Sequence, residues 1–308
     1  MSLPAALKSR LRLPLIAAPM LRISGPELVS AACAAGVIGS FPTANARTTD
    51  ELDEWLTRIE RTAGAPYAAN LIVRSPRFAQ DLQVLVDHRV EMVITSVGSP
   101  AAAVGPLHEV GTLVFADVAT LHHAERAVAA GADGLILLTA GAGGQTGWMN
   151  PFAFVRAVRA FFDGPLVLAG GVSDGHALHA ARALGCDLAY MGTAFLSTVE
   201  SRAEPAYKQM IIEASLDDIV LTRAFTGLPA NMLAPSIRAA GLDPAQLDEK
   251  VTPAAAAEMY GHGGAGPRRW SQVWSAGHSV SGVRSLLTVA ELVEQTAKDY
   301  ADAREAMR

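Results

Sequence analysis

Two glycine turns follow two consecutive apolar runs, and their spacing suits the binding of an anion. The run LVLAGG ends on Gly170 and Gly171, and the run LAYMGT ends on Gly192 and Thr193. Because glycine has no Cβ, such a turn can approach a ligand closely and direct backbone N–H groups at it. As the ends of the last two strands of a (β/α)8 barrel, the turns would form a phosphate site suited to a flavin or a sugar phosphate. A plain tight turn before a helix that starts near Asp174 is the alternative interpretation of Gly171.

The rest of the chain alternates short apolar runs with helical segments, which is typical of a parallel α/β fold. Eight runs have this rhythm: LIAAPM, VIGSF, YAANLIV, MVITSVG, LVFADV, GLILLT, LVLAGG and LAYMGT. Eight units favour a closed (β/α)8 TIM barrel over an open doubly wound sheet, and no GxGxxG motif follows the first run. With 308 residues, 50% of them hydrophobic, the chain can bury such a sheet.

Residues 204–269 break this rhythm and contain no clear pair of strand and helix. We interpret them as a small, mainly helical insertion after strand eight that covers the barrel mouth as a lid. Residues 1–203 are then the barrel, and residues 270–308 return to it with one long amphipathic helix. The glycine-rich stretch 261–266 is interpreted as a linker, because no strand precedes it.

Composition and charge indicate small-molecule partners. The formal net charge is -5 without a basic block, so nucleic acid is not expected as a partner. No unbroken apolar segment reaches membrane-spanning length. Cys33 and Cys186 have no CxxC spacing and are expected to be reduced in a cytoplasmic protein. His176 and His179 have helical spacing but no third ligand, so no metal site is expected.

Four polar side chains are further candidates, because the C-terminal ends of all barrel strands point to one face. Asn70 can donate to and accept from a flavin edge or a substrate carbonyl, or it satisfies local backbone. Asp117 suits a general base or a ligand to a ribityl hydroxyl, with a helix cap as the alternative. Gln145 lies in the glycine-rich loop AGAGGQTGW, which suits a ring system or substrate but is also compatible with a flexible turn. His278, in WSAGHS, is the histidine expected to face the mouth.

Five segments, in this order and spacing, resemble the nitronate monooxygenases, formerly called 2-nitropropane dioxygenases, with their related flavin-dependent enoyl and quinone reductases. The segments are LPLIAAPM, AANL, AGADGLILLTAGAGGQTG, PLVLAGGVSDGHALHAARALGCDLAYMGTAFL and WSAGHSVSGV. The resemblance covers nearly the whole chain and implies a barrel with a helical insertion that binds FMN. The FMN contacts that it implies are Pro19, Met20, Asn70, Gly143, Ala169, Gly170, Gly171, Gly192 and Thr193.

Two positions depart from the family pattern. Many members have a histidine at the position of Gln145, in a Gly-Gly-His-x-Gly loop, as the catalytic base or substrate contact. A glutamine cannot take a proton near neutral pH, which argues against deprotonation of neutral nitroalkanes. Asp117 falls where some relatives have a lysine near the cofactor. Gln145, Asp117 and His278 are therefore the candidate catalytic residues.

Three functions follow from these residues. The first is oxidation of alkyl nitronates with O2, with Gln145 holding the nitro oxygens over the flavin. The second is an NAD(P)H-dependent FMN enzyme that reduces a quinone or an enoyl substrate. The third, of another class, is a non-redox barrel that binds a phosphorylated metabolite or a flavin. A homodimer is left open.

Overall fold

The computed structural model describes residues 3–62, 64–260 and 266–307. Eight parallel strands form a closed barrel, which confirms the predicted (β/α)8 fold. The last barrel strand pairs with the first, with Ala189 opposite Leu15, so the sheet closes on itself. The strands up to this closure are β1 (Leu15–Ala17), β2 (Ile38–Pro42), β3 (Tyr67–Ile72), β4 (Met92–Ser96), β5 (Leu113–Val118), β6 (Gly134–Leu138), β7 (Gly144–Gln145), β8 (Leu166–Ala169) and β9 (Leu188–Met191). All of them except β7 belong to the barrel.

Helices connect the strands, as the alternating pattern predicts. They are α1 (Ala5–Lys8), α2 (Pro26–Ala34), α3 (Thr49–Thr62), α4 (Phe78–Asp87), α5 (Ala101–Glu109), α6 (Leu121–Ala129), α7 (Pro151–Arg159), α8 (Gly175–Leu184), α9 (Thr193–Leu196), α10 (Pro205–Glu213), α11 (Ala234–Ala239), α12 (Pro253–Tyr260) and α13 (Val289–Ala306). Helix α8 begins after Asp174, whose carboxylate accepts a hydrogen bond from the Ala177 N–H. Thr288 and Glu291 form a capping box at the start of the long helix α13.

Alternation along each strand divides the core into an inner and an outer part. Inward-facing residues fill the barrel: Ile16, Ile38, Ala68, Met92, Ile94, Phe115, Ile136, Val167, Ala169, Leu188 and Tyr190. Leu3 and Leu7, from the segment around α1, belong to the same inner cluster. Outward-facing residues pack against the surrounding helices, as Ala189 and Met191 of β9 do. The inner face at the C-terminal strand ends therefore lines the barrel mouth.

The segment 204–269 contains a β-hairpin that the sequence pattern did not predict. Its strands are β10 (Ile219–Thr222) and β11 (Ala230–Leu233), which pair antiparallel. Strand β7, from the loop after β6, adds to the β11 edge and completes a three-stranded sheet. Two-residue β7 is too short for a periodic pattern, and its partner is remote in sequence. The described helical part of this segment consists of α10, α11 and α12 and of two short 3-10 helices, Leu216–Asp218 and Pro244–Gln246.

The interpretation of 261–266 as a linker concerns residues that, apart from Gly266, lie outside the described part of the chain. Within the described ranges, no helix has the length and apolarity needed to cross a membrane.

Candidate active site

The turn after β8 contains the two glycines expected to bind an anion. Both have left-handed backbone, with φ of 122° at Gly170 and 74° at Gly171. A Cβ on Gly170 would overlap the Thr139 hydroxyl and lie 2.7 Å from the Ala142 nitrogen, so the loop after β6 requires glycine there. A Cβ on Gly171 would meet no heavy atom within 4 Å. Gly170 is therefore a packing glycine, whereas Gly171 borders open space that a ligand can enter.

The loop after β6 and the segment before α13 both meet this turn. A Cβ on Gly141 would lie 3.0 Å from the Gly171 nitrogen and 3.4 Å from the His278 Cβ. The His278 N–H donates to the Gly141 carbonyl at 3.0 Å, and the His278 side chain is exposed. His278 therefore lies beside the glycine turn. Close packing requires a glycine at position 143, because a Cβ on Gly143 would lie 2.7 Å from the Gly277 nitrogen.

The second glycine turn, after β9, lies against the loop after β1. A Cβ on Gly192 would make ordinary contacts, 3.5 Å from the Ala18 Cβ and 3.8 Å from the Met20 Sδ. Thr193 is buried, and its hydroxyl oxygen accepts a hydrogen bond from the Gly277 N–H at 3.0 Å. The two turns thus differ in structure. The turn after β8 borders open space, whereas the turn after β9 is hydrogen-bonded to the segment before α13.

Asn45, which sequence analysis missed, holds the loop that contains Pro19 and Met20. Its side-chain amide donates to the carbonyls of Met20 and Ser24, at 2.9 and 2.8 Å. The Met20 N–H donates in turn to the Ser24 hydroxyl at 3.0 Å. Pro19 and Met20 are half-buried in this loop. The signal that selected the other candidates, a polar residue shortly after a strand, also applies to Asn45.

Asn70 and Ala169 lie on strands near the barrel mouth. The Asn70 amide donates to the Ile94 carbonyl at 3.1 Å, and its oxygen accepts from the Ser96 hydroxyl at 3.4 Å. Asn70 therefore satisfies a nearby backbone carbonyl, which was one of its two expected roles. One of its amide protons remains available for another acceptor. The Ala169 carbonyl accepts from both the N–H and the hydroxyl of Thr139.

Asp117 lies near the end of β5 with its side chain inside the barrel, because Ala116 and Val118 on either side belong to the outer core. Its Oδ1 is buried and has no hydrogen-bond partner, although the residue as a whole keeps some exposure. Burial raises the pKa of Asp117 to about 7. The alternative role as a helix cap is wrong, because Thr120 accepts the capping hydrogen bond from the His123 N–H.

Tyr190, on β9, is a second buried polar group of the inner face and was missed by sequence analysis. Its hydroxyl also has no hydrogen-bond partner. Burial, and then the negative charge of Asp117, raise the pKa of Tyr190 well above its ordinary value. The sequence signal was its position two residues before the Gly192 turn, on the same strand face as Leu188. In the described part of the chain, the inner wall near the barrel mouth therefore contains two buried polar groups without a hydrogen-bond partner.

Gln145 forms β7 with Gly144 and has an exposed side chain. Gln145 lies opposite Ala230 of β11, so backbone pairing joins its loop to the insertion. The next residue, Thr146, donates its hydroxyl to the Thr139 carbonyl at 2.6 Å. Gly144 has a φ of 67°, and a Cβ there would lie 3.7 Å from the Trp270 ring. The loop is therefore held both by backbone pairing with β11 and by the Thr146 side-chain hydrogen bond.

Asn231 of β11 also connects the insertion to this loop through its side chain. Its buried amide donates to the carbonyls of Ala140 and Ala142, at 2.9 and 2.7 Å. No local pattern pointed to Asn231, since its partners lie about ninety residues earlier. The conformation around Gln145 consequently depends on the insertion.

Comparisons with known proteins agree with this architecture. The protein-family model described as nitronate monooxygenase matches residues 74–299 of this chain. The structure of FabK from Thermotoga maritima is similar with a TM-score of 0.85 and 27% identity, covering 99% of both chains. Nitroalkane oxidase from Streptomyces ansochromogenes is similar with a TM-score of 0.81 and 28% identity, covering 99% of this chain and 100% of that one.

A curated relative, a hydroxy-octahydro-indene-carboxyl-CoA dehydrogenase from Mycobacterium tuberculosis, is 28% identical over 223 residues. That match covers 71% of this chain and 62% of the relative, so the chain spans about three fifths of the relative's length. The family match covers well over half of the chain and confirms the resemblance read from its motifs. The chain belongs to the nitronate monooxygenase family.

Proposed function

We propose that this chain is an FMN-dependent oxidoreductase whose cofactor binds at the barrel mouth. The observation that carries the proposal is the Gly170–Gly171 turn, which borders open space at the mouth of a barrel of this family. Backbone N–H groups at such a turn suit the FMN phosphate. The residues proposed to hold FMN are Pro19, Met20, Asn70, Gly143, Ala169, Gly170, Gly171, Gly192 and Thr193.

The residues of the mouth fit a flavin in chemical type. A flavin ring has an apolar face and a polar edge, and the inner wall here is apolar apart from a few amide, hydroxyl and carboxyl groups. The Asn70 amide and the buried polar atoms of Asp117 and Tyr190 have hydrogen-bonding capacity left over. Bound FMN would supply the electron-accepting chemistry, and these side chains would orient it.

Alkyl nitronates are the proposed substrates, with O2 as the electron acceptor. Gln145 would hold the nitronate oxygens by hydrogen bonds without taking a proton, because an amide does not titrate near neutral pH. The family match and the similarity to a nitroalkane oxidase support this substrate class. His278 and Asp117 are the residues near the mouth that could move a proton, so we propose them as the alternative bases.

The segment 204–269 is proposed to act as a lid that selects the substrate. The support is its direct connection to the Gln145 loop, by backbone pairing between β7 and β11 and by the Asn231 amide. Because the insertion supplies these contacts, a change within it should alter substrate preference more than FMN retention.

A second candidate is an NAD(P)H-dependent reductase of a quinone or an enoyl compound. The observation in its favour is the apolar surface flanking the Gln145 loop, where Trp148 is 73% exposed and Phe152 is 61% exposed. Such side chains suit a substrate larger and more apolar than a small nitronate. The name of the dehydrogenase relative also indicates oxidoreduction of a CoA ester in that protein.

A visible spectrum and two anaerobic mixing experiments test these alternatives. The purified protein, or the protein after addition of FMN, is expected to show flavin absorbance. A colourless protein that binds no added FMN would favour the non-redox barrel. Bleaching by a nitronate and reoxidation by O2 would support nitronate oxidation, whereas bleaching by NADH or NADPH alone would support the reductase.

A further inference from the structure

Among the residues that the structure describes, the inner wall of the barrel contains two buried side-chain polar atoms without a hydrogen-bond partner, Asp117 Oδ1 and the Tyr190 hydroxyl. Leaving a buried polar group without a partner destabilises a protein, so two such groups in one wall require an explanation. Both face inward, because each alternates along its strand with residues of the outer core. They are therefore directed toward the same interior space.

Their position along the strands places both near the proposed cofactor site. Tyr190 lies opposite Ala169 in the pairing of β9 with β8, and Ala169 immediately precedes the Gly170–Gly171 turn. Asp117 is the second-last residue of β5, at the same end of the barrel. The pair thus lies at the end of the barrel where the glycine turns open.

No counter-charge approaches Asp117 along the inner face in the described part of the chain. The adjacent strands β4 and β6 direct Ile94, Ser96, Ile136 and Leu138 inward, none of which titrates. Tyr190 is the titratable group that interacts with Asp117 from β9. The helices α5 and α6 pack outside β5, and their titratable residues are exposed to solvent: His108, Glu109, His122, His123, Glu125 and Arg126.

We propose that Asp117 is a proton acceptor on the wall of the flavin site, with Tyr190 as its polar neighbour on the same inner face, and that the Asp117 carboxylate takes up a proton when the flavin is reduced. This inference rests on the proposed function for the identity of the cofactor. Two electrons from a donor such as dithionite and one proton convert FMN to its reduced form with one negative charge. A second proton, from solvent, bonds to the Asp117 carboxylate. The negative charge of the reduced flavin therefore does not lie near a negatively charged carboxylate.

The pH dependence follows from the position of the carboxyl. Burial raises the pKa of Asp117 to about 7, so in flavin-free protein the carboxyl is protonated below about pH 7 and ionised above it, and the oxidised flavin ring is neutral. The negative charge of the reduced flavin raises the pKa of the carboxyl further. Below pH 7 reduction therefore takes up one proton, and above pH 7 it takes up two. The flavin midpoint potential should fall twice as steeply with pH in the upper range.

The test combines one readout without flavin and one with it. In flavin-free protein, the 13C resonance of the Asp117 carboxyl is expected to titrate near pH 7, assigned by its loss in Asp117→Asn. Tyr190→Phe should move that midpoint upward, because it replaces a hydroxyl of the same inner face by an apolar group, and a more apolar wall disfavours the charged carboxylate. In flavin-loaded protein, the slope of midpoint potential against pH should double above about pH 7 in the wild type and stay single in the nearly isosteric Asp117→Asn.

Each failure has a distinct meaning. A single slope in the wild type, or a doubled slope that persists in Asp117→Asn, overturns proton uptake by Asp117. An Asp117 midpoint that Tyr190→Phe leaves unchanged overturns the influence of Tyr190 on Asp117. A protein that binds no added FMN overturns the proposed function and with it the coupling to flavin, while the 13C titration of flavin-free protein still tests the Asp117–Tyr190 interaction.

Discussion

The Thr193 hydroxyl oxygen accepts a hydrogen bond from the Gly277 N–H at 3.0 Å, which ties the end of the last barrel strand to the segment before α13. The same segment meets the loop after β6, because Gly277 packs against Gly143 and the adjacent His278 N–H donates to Gly141. One buried hydroxyl therefore connects two loops of the proposed cofactor site. Loss of this hydrogen bond should loosen both.

Thr193→Val tests this connection, because valine keeps the shape of threonine but removes the acceptor. The Gly277 N–H would be left buried without a partner, which should lower the free energy of unfolding by about 1–3 kcal/mol. Urea unfolding of the flavin-free protein measures the loss, and flavin content at purification reports the effect on the site. Thr193→Ser, which keeps the hydroxyl, is the control. Equal stability of the valine and serine variants would contradict the role of the hydrogen bond.

Gly192→Asp should greatly reduce FMN retention if the FMN phosphate lies at the glycine turns, because it adds a negative charge there. A Cβ at this position makes only ordinary contacts, so Gly192→Ala and Gly192→Asn are suitable folded controls. We expect the alanine and asparagine variants to retain flavin and the aspartate variant to lose it, as measured by the ratio of flavin to protein absorbance. Full flavin content in both Gly192→Asp and Gly171→Asp would place the phosphate elsewhere.

Gln145→His should raise the rate on neutral nitroalkane relative to nitronate, by about 100-fold or more if the imidazole acts as a general base. The wild type should prefer pre-formed nitronate, with no pH step from this position, because an amide does not titrate. Initial rates on both substrates between about pH 6 and 9 test this, in the range where an imidazole titrates. Gln145→Asn keeps the amide as a control. Equal wild-type efficiency on both forms would indicate another base, with Asp117 and His278 the first to examine.

Asn231→Ala should disturb the Gln145 loop, because Asn231 connects residues 204–269 to that loop. It removes two hydrogen bonds to the carbonyls of Ala140 and Ala142, so we expect about 1–3 kcal/mol of lost stability and a raised KM. Flavin content should change less than KM. Thr226→Ala is a matched control, since it also removes two side-chain hydrogen bonds, both between Thr226 and the Leu228 backbone within the insertion. A KM change of the same size in both variants would argue against a specific role of Asn231.

Asp117→Asn should change the pH dependence of stability in flavin-free protein. The pKa of Asp117 is about 7 in the folded state and about 3.9 when unfolded. Between these values the folded wild type binds a proton that the unfolded chain lacks, so its stability falls as pH rises. The variant does not titrate at this position. Its free energy of unfolding relative to that of the wild type should therefore rise by up to about 4 kcal/mol between about pH 4 and pH 7, and it should stay constant above pH 7. Urea unfolding at about pH 5 and 8 measures this. Asp302→Asn, at an exposed position, is the control. If the difference in stability between Asp117→Asn and the wild type is the same at both pH values, a buried carboxyl at Asp117 is contradicted.

The barrel and the location of its mouth were predictable from sequence, because they depend on local patterns and general topology. Apolar runs alternating with helices predicted eight strands, and the structure confirms them. Parallel strands collect their C-terminal ends on one face, so residues such as Gly171, Gly192 and Asp117 could be assigned to the same end without knowing any distance. The family could be recognised for a similar reason, because several motifs kept their order and spacing.

The tertiary structure decided which of these residues have partners. The Thr193 hydroxyl is bonded to Gly277, the Asn231 amide holds the loop after β6, and the short strand β7 pairs with the insertion. Tyr190 becomes a candidate only because it faces the same interior as Asp117. Each of these contacts joins residues far apart in the chain, so a local sequence pattern could not predict which residues meet. Sequence periodicity therefore determined the scaffold, whereas long-range packing and hydrogen bonding decided how its mouth is built, because hydrogen-bond satisfaction depends on three-dimensional neighbours.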